Sequence, residues 1–307
     1  MKKDKKRLII TDSNSIIHRS FHALPPLKNK DGELVNAAYG FLAIFLKTIK
    51  DFEPDYIATC FDLPESTFRH KEYEEYKSQR PPTPKKLYQQ IPVVKKLLKL
   101  LNVPIFEKKG FEADDLIGTI SKKVKKSDLN VETIILSGDL DILQLVDQDT
   151  KVYLSKSGKN NVLYNKEKVK EKYLGLKPKQ LDDFRALRGD PSDNIPGISG
   201  IGQKTAIKLL NKFDNIENIY KELESKKDID ITKRNQKLLK KDKEKAFLSQ
   251  FLAEIKRDVP IKIDYKKMEW GNYDREKVFK FLQELGFKTL IKRFKKIEEK
   301  NSLLKLL

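Results

Sequence analysis

Seven acidic residues are placed where a chain can use them together: Asp12, Asp62, Glu112, Asp114, Asp115, Asp139 and Asp141. Leu8-Ile9-Ile10 runs into Asp12, Tyr56-Ile57-Ala58-Thr59-Cys60-Phe61 into Asp62, and Thr133-Ile134-Ile135-Leu136 through Ser137-Gly138 into Asp139 and Asp141. Short apolar runs of this kind read as buried parallel strands, so three strands end in acid. Glu112-Ala113-Asp114-Asp115 opens a helical period behind the turn Lys108-Lys109-Gly110-Phe111. Acids at a helix start are stabilised by the free N–H groups and the dipole, so this quartet alone equally fits an ordinary cap. Convergence carries the argument: ligands of an open α/β sheet bind outside the carboxyl ends of its strands. Seven carboxylates on that edge repel one another unless cations lie between them. Hard oxygen donors, with one Cys and no clustered His, select Mg²⁺ or Mn²⁺ over zinc.

A second acidic pair, Asp190 and Asp193, lies in Arg188-Gly189-Asp190-Pro191-Ser192-Asp193-Asn194-Ile195-Pro196-Gly197. Taken alone, the two read equally as turn or helix caps. They precede Ile198-Ser199-Gly200-Ile201-Gly202-Gln203-Lys204-Thr205-Ala206, a glycine hairpin entering a helix that carries Lys204 and Lys208. Glycines let backbone N–H groups approach a phosphate, and a helix start favours an anion. No strand precedes this hairpin, which excludes the dinucleotide fingerprint and leaves a helix-hairpin-helix contact with a DNA backbone. Between Phe68 and Pro82, Arg69, His70, Lys71, Lys77 and Arg80 alternate with Tyr73 and Tyr76. Cations tracking phosphates and rings stacking on bases would suit a single strand; a solvated mixed-charge loop is the other reading.

The rest of the chain must position these groups. The 307 residues suffice for one large or two modest domains without staples. Helical periods at 38–52, 84–101 and 112–126 alternate with the strands, predicting an α/β domain with a mostly parallel sheet. Beyond about 166 the periods are helical: 178–187, 202–212, 215–223, 232–241, 243–256, 274–285 and 287–300. The predicted division is an α/β domain over 1–173 and a helical domain over 174–307. The Lys- and Asp-rich stretch 226–245 reads as a solvated face, and Trp270, Phe279, Phe281, Leu282, Leu285 and Phe287 as core. His18, His22 and His70 have no Ser or Cys partner at a catalytic spacing.

Lys and Arg number 64 against 45 Asp and Glu, a net +19 that suits a polyanionic partner. Only ten of the cations are Arg, so AT-rich coding is a competing source of the Lys excess. No apolar run approaches the ~20 residues of a membrane span, and no apolar core follows the basic N-terminus. With a single Cys, the expectation is a soluble protein of the reducing cytoplasm.

In this order, these motifs resemble the 5'-3' exonuclease domain at the N-terminus of bacterial DNA polymerase I, in the flap endonuclease superfamily. The resemblance rests on Asp12 with Arg19-Ser20-Phe21-His22-Ala23-Leu24-Pro25, Tyr39-Gly40-Phe41, Phe61-Asp62, Phe68-Arg69-His70 and Tyr76-Lys77-Ser78-Gln79-Arg80, and on the acidic and glycine motifs above. It implies a PIN-like nuclease domain, a helical arch at about 68–92, and metal-dependent hydrolysis where a 5' strand leaves a duplex. It places Asp12, Asp62, Glu112 and Asp114 at one ion and Asp139, Asp141, Asp190 and Asp193 at a second, with Asp115 near both. Mg²⁺ is the implied metal, Mn²⁺ its substitute. Lys77 and Arg80 would act at the scissile phosphate. DNA contacts would come from His18, Arg19, His22, Arg69, Tyr73, Tyr76, Gly197, Ser199, Gly200, Gly202, Lys204, Thr205 and Lys208, with K⁺ bound by hairpin carbonyls. Implied partners are 5'-flap, nicked or 5'-ended DNA and RNA–DNA primer junctions, met by a monomer working beside a separate polymerase near the nucleoid. Ser13-Asn14 stands where relatives have Gly-Ser, His18 replaces a stacking Tyr, and Leu140 replaces a Lys. The length leaves no room for a polymerase, so a free-standing form is expected. A DNA-binding module with silent chemistry is the rival reading, although every matched carboxylate is present. A ribonuclease of related fold would leave the hairpin unexplained.

Overall fold

The computed structural model describes residues 5–156, 161–225 and 229–304. Residues 1–4 of the basic N-terminus, 157–160, 226–228 of the Lys-rich stretch and 305–307 of the expected second domain lie outside the described residues. In chain order the elements are β1 (Lys6–Asp12), α1 (Ser13–Ala23), α2 (Asn36–Phe52), β2 (Tyr56–Cys60), α3 (Phe68–Glu72), α4 (Lys85–Tyr88), α5 (Ile91–Leu100), β3 (Ile105–Phe106), α6 (Ala113–Lys125), β4 (Val131–Ser137), β5 (Thr150–Leu154) and β6 (Val162–Tyr164). There follow α7 (Lys166–Lys172), α8 (Leu181–Arg188), α9 (Gln203–Phe213), α10 (Ile216–Ser225), α11 (Lys233–Lys241), α12 (Lys243–Ala253), α13 (Arg275–Glu284) and α14 (Lys288–Leu304).

The strands form one sheet in the order β3-β2-β1-β4-β5-β6, with β6 alone antiparallel. β1 is an unbroken apolar run because both faces are covered. Ile9 packs with α1, α2 and α5 on one face, whereas Leu8 and Ile10 pack with α6 on the other. The register sets Asp12 beside Cys60 of β2 and Thr11 beside Leu136 of β4. Strand order reverses between β1 and β4, so the crevice outside their carboxyl ends is a topological switch point.

Residues 176–246 pack around a core of their own, from Leu176 and Phe184 to Leu239 and Ala246. The chain then returns to the sheet, so the expected helical domain over 174–307 is not one body. Ile255, Val259 and Met268 fill the α6 face, and Val278, Phe281, Leu282, Phe287 and Phe294 close the α2 face. Trp270 seals the return, its N–H donating to the carbonyl of Asp55 at 2.8 Å. Periodicity reveals helices but not which core they join. Within 68–92 lie two short helices, α3 and α4, joined by turns, with α5 beginning at Ile91.

Asp183 of α8 supplies a pH prediction within the second lobe. The amide of Gln250 donates to Asp183 Oδ1 at 2.9 Å and to Glu217 Oε1 at 2.7 Å. Burial, then Asp182 and Glu217, push the Asp183 carboxyl up to about 8. The unfolded chain ionises first, so this group removes stability as pH rises from about 4 to about 8. Asp183→Asn should therefore be more stable than the parent by at least about 1 kcal/mol at pH 8. Denaturant melts at pH 5 and pH 8 check this; a gap that narrows with rising pH contradicts it.

Candidate active site

The switch point is built by short polar ties between strand ends. Asp12 Oδ1 accepts the Ser15 N–H at 3.1 Å, capping α1, and its Oδ2 accepts the Ser137 hydroxyl at 2.6 Å from the end of β4. Gly138 follows; its N–H donates to Ser15 Oγ at 3.0 Å and its carbonyl accepts Arg19 Nη2 at 3.0 Å. A Cβ there would lie 2.7 Å from Arg19 Nε and 2.8 Å from Ser15 Oγ, so a larger residue would displace both side chains. Asp139 Oδ1 accepts the Asp141 N–H at 2.9 Å. Below β2, Asp62 Oδ1 accepts the Ala113 N–H at 2.7 Å and docks the first turn of α6, which brings Glu112 and Asp114 alongside.

Asp12, Asp62, Glu112, Asp114, Asp139, Asp141 and Asp193 line one cavity of ≈ 770 Å³. Asp190 lines an adjoining one of ≈ 360 Å³ that shares Asp139 and Asp141. Burial first, then Asp62 and Asp139, raises Asp12 to about 7 despite its two hydrogen bonds. Burial followed by Asp12, Asp139 and Asp62 raises Asp114 well above the carboxylate range. Burial also raises Asp141 to about 7, against the pull of Arg185. Carboxylates so crowded and desolvated call for added positive charge.

A divalent ion fits this donor set in chemistry and electrostatics. Among the described residues, no three acidic, His or Cys side chains form a ready-made ion cage as they stand. Internal cations hold several of the acids. Lys77 Nζ bonds Glu112 Oε1 at 2.9 Å and lies 3.8 Å from Asp193 Oδ2. Arg80 pairs with Asp193, and Arg185 with Asp141 and Asp190. Lys77 adopts φ 57°, a left-handed conformation uncommon for a side chain of its length, with its N–H donating to the Asp193 carbonyl at 2.9 Å.

Several expected site residues are spent on the fold. Asp115 is fully buried and gripped by Arg69, whose Nη1 and Nη2 bond Oδ2 and Oδ1 at 2.9 Å each. It also accepts the Lys256 and Glu112 N–H groups, so both of its oxygens are engaged within the fold. Arg69 is 2 % exposed and further donates to the carbonyls of Leu252 and Glu254. Tyr76 is buried with its hydroxyl donating toward Glu112 and Asp193. Tyr73 is half-buried and bonded to Glu75. His18, Arg19 and His22 do line the cavity; burial, then His22 and Arg80, lowers the pKa of His18.

In the hairpin, Gly197 has φ +60°, and a Cβ would stand 2.2 Å from the Gly189 nitrogen. It is buried, with its N–H donating to Ser249 Oγ at 2.9 Å, so the fold and not a ligand uses that amide. The Ser199 N–H donates to Asp242 at 3.2 Å. Ser199, Gly200, Gly202, Lys204 and Lys208 are exposed around the start of α9, with Thr205 half-buried. Gly202 has an ordinary φ, and a Cβ there would meet open space. Sequence reasoning missed three residues. Ser137 ties the two strand ends. Tyr88 lines the cavity while 47 % exposed. Arg185 carried a signal: spaced with Leu181 and Phe184 on the buried stripe of α8, it requires a buried acid.

A mostly parallel sheet with carboxylates massed at its switch point, flanked by a helix-hairpin-helix lobe, defines a PIN-like nuclease. Residues 7–174 match the model of the 5'-3' exonuclease N-terminal resolvase-like domain, and 176–276 that of the 5'-3' exonuclease C-terminal SAM fold. The chain belongs to the 5'-3' exonuclease family. It is 39 % identical over 292 residues to a 5'-3' exonuclease of Aquifex aeolicus, covering 95 % of this chain and 96 % of that protein. It is 40 % identical over 291 residues to DNA polymerase I of Bacillus subtilis, covering 94 % of this chain but 32 % of the polymerase. The chain thus spans about a third of the length of its polymerase relatives. The T5 5'-exonuclease solved with bound zinc shares the fold, with a TM-score of 0.68 at 20 % identity over 96 % of this chain and 99 % of that one. No helix among the described residues is long and apolar enough to cross a membrane.

Proposed function

We propose that the protein hydrolyses phosphodiesters of DNA, and of RNA primers on DNA, as a divalent-metal-dependent 5'-3' exonuclease and 5'-flap endonuclease. The observation that carries this is the single cavity shared by carboxylates of both lobes, whose desolvation and repulsion favour added cations. Asp12, Asp62, Glu112 and Asp114 would hold one ion and Asp139, Asp141, Asp190 and Asp193 another, Mg²⁺ by donor type with Mn²⁺ as substitute. Such a pair supplies charge to the scissile phosphate and an activated water. The chain's own part is to gather these oxygens and to present Lys77 and Arg80 from the 68–92 segment. Both cations now pair with carboxylates of the cluster, which a phosphate would replace as their partner. The exposed start of α9 would carry the duplex, its open Gly202 and its lysines facing phosphates. K⁺ at the hairpin and cooperation with a polymerase in primer removal and repair belong to the same reading.

Cleavage of end-labelled flap, nicked and blunt duplexes, with and without Mg²⁺, tests it: release of short 5' products from flaps and nicks only with the metal is expected. Metal-independent cleavage, or none on any substrate, would end the proposal. Lys204→Ala should weaken duplex binding and reduce the slope of log affinity against log salt by about 0.9, one phosphate contact. An unchanged slope removes α9 from the interface.

A further inference from the structure

We infer that Arg185 is a built-in counter-cation of the carboxylate cluster, holding Asp141 and Asp190 together in the ion-free protein and made redundant there by divalent ions. The inference rests on the metal-dependent reading above and concerns how the same site is kept assembled before ions arrive. Arg185 is 6 % exposed on the inner face of α8. Its Nη2 donates to Asp141 Oδ1, its Nε to Asp190 Oδ2 at 3.3 Å, and its Nη1 to the Leu181 carbonyl at 3.3 Å. Asp141 follows β4 at the sheet edge, whereas Asp190 begins the hairpin of the helical lobe. One planar guanidinium therefore ties the acidic parts of both lobes, which a point charge on a flexible stem does less well.

Two contrasts set this cation apart. Lys77 and Arg80 reach the cluster from the outer segment, with Arg80 47 % exposed at its side chain, so both can leave. Arg185 is buried, and its three donor nitrogens are held by Asp141, Asp190 and the Leu181 carbonyl. Asp12 and Asp114, in turn, have no ion pair to a cation among the described residues, whereas Asp141 and Asp190 share Arg185. Burial would push Asp190 up, but hydrogen bonds from Ser192 and the Arg185 charge outweigh it and hold it low. The ≈ 360 Å³ cavity lined by Asp139, Asp141, Asp190 and Arg185 leaves room beside the guanidinium for further cations.

Removing the guanidinium strands two partly buried carboxylates, a large cost that an added cation can offset. Since a ligand stabilises by binding the folded state, ions should stabilise an Arg185 variant more than the parent. The test is thermal melting of the full chain at pH 7.5, after chelation and again in Ca²⁺ or Mn²⁺, for wild type, Arg185→Met and Arg185→Lys. Without ions, Arg185→Met should melt below wild type; its ion-induced rise should be at least about twice the wild-type rise, with Arg185→Lys between. Equal rises in all three proteins would make Arg185 a plain packing residue and overturn the inference. If Arg185→Met fails to fold, Arg185→Lys alone decides by the same comparison. A wild type whose melting ignores ions would sink the metal-dependent reading itself, a result distinct from equal, non-zero rises.

Discussion

Asp114→Asn should lower phosphodiester cleavage in Mg²⁺ by at least ~10³-fold while raising the melting temperature of the metal-free protein. The two effects share one cause. Asp114 is half-buried in the first turn of α6, and no hydrogen bond or ion pair to it is found among the described residues. Its ionisation is opposed by burial and then by Asp12, Asp139 and Asp62. The amide keeps the volume, removes one of the mutually repelling charges, and so relieves the folded state. The same change deletes a donor that the cation site needs. A group kept for chemistry at the expense of stability behaves this way, whereas a structural group loses both together. Single-turnover cleavage of a labelled 5'-flap duplex and calorimetric melting after chelation at pH 7.5 measure the two arms. A variant that cleaves at the parental rate, or that melts lower without ions, contradicts the assignment.

Arg69→Met should have the opposite signature, costing ~3–5 kcal/mol because it leaves the fully buried Asp115 carboxyl without its charge partner. The guanidinium joins α3, the start of α6 and the carbonyls of Leu252 and Glu254, where the chain crosses from the helical lobe back to the sheet. Asp115 meanwhile anchors the Glu112 and Lys256 amides, so the loss reaches the ligand-bearing turn. Arg69→Met combined with Asp115→Leu should recover much of the stability, since replacing both members removes the stranded charge. Lysine should not substitute, having neither the paired donors nor the reach to two carbonyls. Urea unfolding of the single and double variants decides the matter; a loss under about 1 kcal/mol for Arg69→Met would mean that the pair is solvated and the clamp does not exist.

The two variants bear on adjacent acids, Asp114 and Asp115, that have opposite duties. Asp114 and Asp115 are adjacent on α6, and a helical step of ~100° turns one toward the cavity and the other into the lobe junction. Both read alike as sequence, because spacing gives the face of a helix but not what that face meets. Arg69 and Tyr76 belong to a run of cations and rings that reads as a nucleic-acid surface, yet a buried acid pairs with the first and the hydroxyl of the second points at Glu112 and Asp193.

The residue order alone determined the α/β plan, the three strands ending in acid, the glycine hairpin and the family, since these follow from local periodicity, backbone sterics and fixed motifs. Which acids are free to hold cations and which are consumed by ion pairs was decided only in three dimensions. So were the return of residues 255–297 to the sheet and the bridging place of Arg185. Those outcomes depend on contacts between segments more than a hundred residues apart or on opposite lobes, such as Ser137 with Asp12 and Arg69 with Leu252. Desolvation and charge pairing are properties of the assembled surroundings, and no stretch of chain carries them by itself.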